Sequence, residues 1–230
     1  DPKEINATEG LAVVLPENTY TRKDFDFIGW NDGERTYEAG AVYSMPGRNM
    51  TLTAVWEEGG ITYTQIPSEQ LTAVAESQES DTPGAVDGPG SNAVDGDTAT
   101  KWHSAYSSSS STPMPDIARD KHNGISIDLG GVYEIGKLEY LPRQDGGKNG
   151  IITGYKLYYS EAEEGSYEDG AFLEVPEGSG TWAGDASKKT AKFPMIKARR
   201  LMLRATATLE NSTSISASEF YVYQAQRNNY

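Results

Sequence analysis

Short runs in which apolar and polar residues alternate recur along this chain, and no segment carries a helical period long enough to compete with them. Ile125-Ser-Ile127-Asp-Leu129, Leu201-Met-Leu203-Arg-Ala205 and Phe220-Tyr-Val222-Tyr223 repeat with a period of two, which sends one row of side chains to a core and the other to solvent. Fourteen Tyr and four Trp, with many Ser and Thr, suit such half-buried pleated surfaces better than helices. Short strands at this spacing, closed by Gly, Pro and Asn turn signals, make the fold mainly β: an antiparallel β-sandwich. Lys137–Leu141 and Ile152–Leu157 flank the Gly-rich stretch Pro142-Arg143-Gln-Asp-Gly-Gly-Lys-Asn149-Gly150 and are expected to form a hairpin with a wide mouth.

A chain of 230 residues is long enough for two domains. Between residues 11 and 56 the runs are shorter and turn signals such as Asn31-Asp-Gly33 and Pro46-Gly47 come closer together. Phe27, Trp30, Leu52 and Trp56 are expected to fill the core of this small unit. Glu57-Glu-Gly-Gly60, charged and then flexible, marks its edge. The expected division is a small unit over 1–58, a linker over 59–65 and a larger sandwich over 66–230. Residues 65–87 read as a polar lead-in, and Ser107–Ser111 with Thr112-Pro113-Met-Pro115 as a solvated excursion.

The charge balance excludes some partners. Twenty Lys and Arg against 34 Asp and Glu give a formal charge of -14, which repels phosphate backbones and anionic lipid surfaces. Nucleic acid is therefore not an expected partner, nor is membrane insertion, since no run nears the roughly 18 apolar residues that a span needs. Without Cys there is no disulfide framework, thiol nucleophile or thiolate metal site. The chain opens on Asp1-Pro-Lys-Glu, which resembles no secretion signal, and the expectation is a monomeric fragment of a longer protein.

One stretch concentrates chemistry: Asn92-Ala-Val-Asp95-Gly-Asp97-Thr-Ala-Thr100-Lys-Trp102-His103. Asp95 and Asp97 flank a Gly, and Thr100 follows three residues later, so hard oxygen donors lie on a turn able to bend round one cation. An EF-hand is excluded, because the sixth position from Asp95 is Thr100 where that loop needs Gly. On local sequence alone, calcium binding competes with a commoner reading, an Asp-Gly turn whose carboxylates cap nearby main-chain groups. Catalytic signatures are missing: there is no His-Glu-x-x-His, Gly-x-Ser-x-Gly or Gly-x-x-x-x-Gly-Lys-Ser/Thr, and nothing selects an acid/base pair from the 34 carboxylates. His122 sits in a polar loop and is read as solvent-exposed. The chain is not expected to be an enzyme by itself.

Two resemblances refine this. Leu15-Pro16, Tyr20-Thr-Arg22, Phe27-Ile-Gly-Trp30, Tyr37-Glu-Ala-Gly40, Tyr43-Ser-Met-Pro46 and Met50-Thr-Leu-Thr-Ala-Val-Trp56 resemble the small Listeria-Bacteroides repeat of the internalin B type, which implies a β-grasp-like spacer or adhesive unit of bacterial surface proteins. Asn92–Asp97 with Thr100, Trp102-His103-Ser104, Ile125–Gly130, Tyr140–Asp145, Asn149-Gly150, Gly180-Thr-Trp182 and Ala217-Ser-Glu219-Phe resemble the discoidin or coagulation-factor type C superfamily, closest to family 32 carbohydrate-binding modules. This second resemblance implies a discoidin-like jelly roll and a structural calcium held by side-chain oxygens of Asp95, Thr100 and Glu219 with carbonyls of Asn92, Asp97, Thr100 and Ser218. It also implies a site for galactose or N-acetylgalactosamine, on mucin-type glycans among others, built from His103, Arg143 and Asn149. Related modules present a stacking ring before the C-terminal strand, but Leu209–Ser216 holds no aromatic, which leaves Tyr106 and Trp182 as candidate ring surfaces. The implied setting is a secreted or cell-surface bacterial protein, a larger glycan-active enzyme, that this module directs to its substrate. A protein-adhesion or spacer module without glycan binding is the rival expectation.

Overall fold

The structure, a computed structural model, describes residues 4, 6–22, 25–110 and 112–227. Asp1–Lys3 of the opening stretch, Ser111 of the serine run and the last three residues of the expected sandwich lie outside the described residues. The chain divides into two compact units, Asp1–Ile61 with Arg227–Tyr230, and Thr62–Gln226. Among the described residues no helix is long and apolar enough to cross a membrane.

In the first unit β2 (Phe25–Asn31) lies between β3 (Thr36–Tyr37) and β5 (Thr53–Glu58), and β1 (Ala12–Val14) pairs with β4 (Val42–Ser44) in a separate two-stranded sheet. Gly29, with φ +155°, lets β2 and β3 approach closely, since a Cβ there would sit 2.4 Å from the Tyr37 carbonyl oxygen. Phe27 packs edge-on against Trp30 and Trp56, with ring centroids 5.0 and 5.6 Å away. Phe27, Trp30, Leu52 and Trp56 are only half-buried, and among the described residues of this unit the buried apolar side chains are Leu15 and Tyr43. A unit this small has too little interior to enclose large rings. Its described residues contain strands and turns but no helix.

The second unit is built on two long strands, β10 (Gly124–Leu141) and β13 (Lys189–Thr208), paired antiparallel with register shifts between Asp128 and Tyr133 and between Ile135 and Lys137. On one side of these irregularities the start of β10 pairs with β7 (Thr72–Ala75), while the end of β13 pairs with β11 (Ile152–Ser160), itself paired with β12 (Leu173–Thr181). On the other side the end of β10 pairs with β15 (Glu219–Arg227), and β6 (Ile61–Gln65) completes the sheet beyond it. Both halves face one core: Ile125, Ile127, Leu129 and Leu203 from the first meet Leu138, Tyr140, Phe220 and Val222 from the second. The result is an antiparallel β-sandwich in which bulges turn the same two strands from one layer into the other.

One expectation changes here. Lys137–Leu141 and Ile152–Leu157 do not form a hairpin: each pairs with β13, Lys137 opposite Lys192 and Ile152 opposite Thr208. Pro142–Gly150 is therefore a crossing between layers at the rim; its turn residues signal a reversal equally well for either connection, because local sequence does not fix strand partners. Within the stretch read as a linker, Ile61–Gln65 forms the edge strand β6.

Arg204 braces the first layer. It is 1% exposed, donates from Nε to Asp120 Oδ1 at 3.0 Å and from Nη2 to Asn123 Oδ1 at 2.6 Å, pairs through Nη1 with Glu76 Oε1, and lies 3.9 Å over the Tyr167 ring. Removing one partner of such a buried network strands the remaining charges. Arg204→Met is expected to cost about 3–5 kcal/mol, whereas Lys156→Ala, which breaks an exposed pair with Glu174, is expected to cost under about 1 kcal/mol; urea denaturation of both variants checks the contrast.

Candidate functional site

The rim of the sandwich is formed where a short three-stranded sheet, β14 (Ser216–Ala217), β9 (Lys101–His103) and β8 (Asp87–Gly88), meets the Pro142–Gly150 crossing. Loop 92–100 leads into β9. Asn92 is buried, and its amide donates to the carbonyls of Ala85 and Lys101 at 2.9 and 3.1 Å, closing the two ends of the loop. Within it Asp95 Oδ1 accepts from Asp97 N at 2.8 Å, and Thr100 Oγ1 lies 2.8 Å from Asp95 Oδ2 and 2.9 Å from the Asp97 carbonyl. Gly96, at φ +81°, donates its N–H at 2.7 Å to Oε1 of Glu219, a residue fully buried at the start of β15.

Burial and the facing Asp95 carboxylate push Glu219 up to about 8. Its Oε2 and the neighbouring Ser218 hydroxyl are buried without a hydrogen-bond partner. An orphaned carboxylate oxygen opposite a second carboxylate, with a hydroxyl and a main-chain carbonyl alongside, is a hard, anionic, all-oxygen donor set, and this chemistry fits Ca²⁺. No group of three or more His, Cys, Asp or Glu side chains converges among the described residues, so further ligands would be carbonyl oxygens. The sequence-predicted residues Asp95, Asp97, Thr100 and Glu219 are thus brought together, Ser218 adjoins them, and the Asn92 side chain serves the loop's closure.

Beside this loop stands a second group. Trp102 is buried completely, its indole donating to the Ser77 carbonyl at 2.8 Å, and fixes β9. His103 Nδ1 lies 2.8 Å from the Ser104 carbonyl; a carbonyl only accepts, so Nδ1 carries the proton and Nε2 keeps its lone pair. Burial holds the imidazole below its ordinary range. Opposite β9, Ser216 pairs with His103 in the ladder and donates its hydroxyl at 2.9 Å to the Asn149 carbonyl, which also accepts from Arg143 Nη1 at 3.2 Å. Arg143 is clamped on Asp145 through Nε and Nη2, both at 2.7 Å, and Lys101 Nζ bridges Asp145 and Asp87 at 3.1 and 2.7 Å. Three of its five N–H groups are thus engaged within the protein. His103, Arg143 and Asn149 therefore share one rim, and the Asn149 carboxamide is left for solvent.

The two candidate rings part company. Tyr106 is 54% exposed and meets His103 edge-on at 4.8 Å, so it forms one wall of the rim. Trp182 packs on the sheet: its ring stacks on Tyr155 at 3.9 Å and on Tyr140 at 5.3 Å and its indole donates to Thr190 O. The serine run is also more than a solvated excursion. Glu79 accepts from the main-chain N–H of Tyr106 and Ser107 and from the hydroxyls of Ser107 and Ser110, and these bonds hold its carboxyl down at about 2 against the cost of burial.

Sequence reading gave no role to Lys101 and Asp145, although both lie inside the stretches it singled out, and missed Glu79, which lies in none of them, and Gly147, where a Cβ would lie 2.5 Å from Arg143 Cζ. The Gly146-Gly147 pair signals a turn, and only the structure shows that its second member makes room for a guanidinium.

Comparison with known proteins agrees with this architecture. The F5/8 type C domain model matches residues 71–220. Over 161 residues the chain is 34% identical to the A type blood N-acetyl-alpha-D-galactosamine deacetylase of Flavonifractor plautii, covering 70% of this chain and 18% of that protein; it spans less than a fifth of the curated relatives it matches. Among solved structures, the Clostridium perfringens module CpGH89CBM32-5 in complex with GalNAc-β-1,3-galactose is 31% identical, with a TM-score of 0.53 over 69% of this chain and 99% of that one. The family 32 CBM of C. perfringens NanJ, in complex with galactose, is 27% identical, with a TM-score of 0.53 over 71% of this chain and all of its own. The chain belongs to the F5/8 type C domain family.

Proposed function

We propose that the second unit is a non-catalytic carbohydrate-binding module for terminal galactose or N-acetylgalactosamine, including those of mucin-type glycans. The observation that carries the reading is the convergence of His103, Arg143 and Asn149 on one rim beside the exposed Tyr106 ring. A sugar hydroxyl both donates and accepts. Neutral His103 offers a lone pair at Nε2 and Arg143 two free N–H groups, so one hydroxyl is served in both directions, while the Asn149 amide addresses a neighbour. Tyr106 supplies an apolar surface for the sugar's C–H face. The GalNAc-β-1,3-galactose and the galactose bound by the two similar solved modules support this choice of sugar.

Calcium belongs to the same proposal. Asp95, Thr100 and Glu219 would hold it through side-chain oxygens, with carbonyls of Asn92, Asp97, Thr100 and Ser218, and the ion would neutralise the facing carboxylates of Asp95 and Glu219. The first unit we read as a Listeria-Bacteroides-type spacer, and the parent as a secreted or surface bacterial protein acting on glycans. The match to part of a glycan deacetylase supports the second point. In such a parent a monomeric module raises the effective concentration of its catalytic partner at the substrate.

Isothermal titration with galactose and N-acetylgalactosamine is expected to give saturable binding that weakens about tenfold or more in Arg143→Ala, the loss of roughly one charged hydrogen bond; binding untouched by that change overturns the site. Exhaustive chelation is expected to lower the melting temperature by roughly 5 °C or more, since occupancy at about a hundred times the dissociation constant adds about 2.7 kcal/mol, and an unchanged melt removes the metal. Burial lowers the His103 value, so below about pH 6.5 the unfolded chain takes up a proton that the folded chain resists. Stability and galactose affinity are expected to be full above that pH and to fall as pH drops further, and the loss of affinity is expected to disappear in His103→Gln.

A further inference from the structure

The outward face of the second layer carries charge that the rest of the molecule does not prepare for. Lys137 on β10 stands directly opposite Lys192 on β13 and opposite Tyr223 on β15, and residues opposite each other in a ladder project to the same face. Like charges in such a pair repel. Lys137 Nζ lies 3.5 Å from the centroid of the Tyr223 ring, and Tyr63 of β6 takes the ammonium groups of Lys137 and Lys192 at 5.5 Å each. One row further along, Glu139 lies opposite Tyr221, over whose ring Lys188 Nζ sits at 4.8 Å.

Charge on this face does not balance. Glu139 pairs with Lys137 at 3.1 Å and Lys188 at 3.3 Å and is already engaged by the Tyr223 hydroxyl at 2.8 Å. Lys192 has no carboxylate within ion-pair distance among the described residues. Among the described residues of this face three ammonium groups thus answer one carboxylate, on a chain whose formal charge is -14, and Lys188 and Lys192 are exposed. Tyrosine rings lower the repulsion between the lysines but do not neutralise it. Tyr63 and Tyr221 are half-exposed, and the mobile ends of Lys192 and Lys188 lie over their rings.

We propose that this face is a second glycan site, separate from the rim, for an acidic saccharide: carboxylate or sulfate groups draw Lys188 off Tyr221 and Lys192 off Tyr63 into ion pairs, and sugar rings take the places on the two tyrosines that the ammonium groups leave. A protein's acidic peptide would meet the ammonium groups but would leave the row of rings without a match. The surrounding negative field makes such binding weak and sensitive to salt.

The test titrates the intact chain at low salt with a sulfated hexasaccharide, a uronic-acid hexasaccharide and a neutral hexasaccharide lacking galactose. At least one acidic sugar is expected to bind, and the tighter of the two identifies the anionic group. Affinity is expected to fall about tenfold in Lys188→Gln/Lys192→Gln, with an unchanged melting curve, and to be unaffected by Arg143→Ala or by saturating galactose, so that failure of the rim site and of this one are read separately. The proposal is overturned if neither acidic sugar binds, if the neutral sugar or an oligoglutamate peptide binds as tightly, if the lysine changes have no effect, or if galactose displaces the acidic sugar.

Discussion

The hydrogen bond from Gly96 to the buried carboxylate of Glu219 joins the loop that precedes β9 to the strand that ends the sandwich. It spans 123 residues, and the second carboxylate oxygen, Oε2, is buried without a hydrogen-bond partner. Loop 92–100 determines where β9 begins, and β9 holds His103 against β14. Gly96 is required because its left-handed backbone turns the N–H inward, and Asn92 closes the loop behind it. A buried acid facing a second acid is costly unless it is protonated or neutralised, and this cost is the physical reason to expect a cation there.

Arg143 shows a similar economy. Asp145 accepts two of its N–H groups and the Asn149 carbonyl a third, leaving the side chain 13% exposed with its plane fixed. Lys101 keeps Asp145 in place from the other side, so the donors offered to a ligand are already oriented and their ordering cost is met before binding. Glu79 does the same for the loop behind Tyr106. The surroundings of the rim are therefore tightly hydrogen-bonded, although the loops look irregular in sequence.

Much of this was legible beforehand. The period-two runs at Ile125–Leu129 and Phe220–Tyr223 mark strands because one face must be buried, and the grouping of Asp95, Asp97 and Thr100 marks an oxygen-rich turn. Strand partners were not legible: Pro142–Gly150 reads as a hairpin because its Gly and Asn residues report a reversal of the chain, while the strand inserted between its flanks lies some 40 residues further on. The role of Trp182 was not legible for a related reason, since exposure of a ring depends on Tyr140 and Tyr155, which come from other parts of the chain. Glu79 and Gly147 matter through contacts at long range or through an absence of side chain, and neither leaves a local signature.

Asn149 is anchored through its main-chain carbonyl, which accepts from Arg143 and from Ser216. Every amino acid has that carbonyl. The loop's conformation is thus independent of what side chain this position displays, and exchange at residue 149 changes the chemistry offered to a ligand without touching the bonds that shape the crossing. Architecture and displayed side chain are separable there, so under the proposed reading this is a place where preference among sugars can drift while the fold stays as it is.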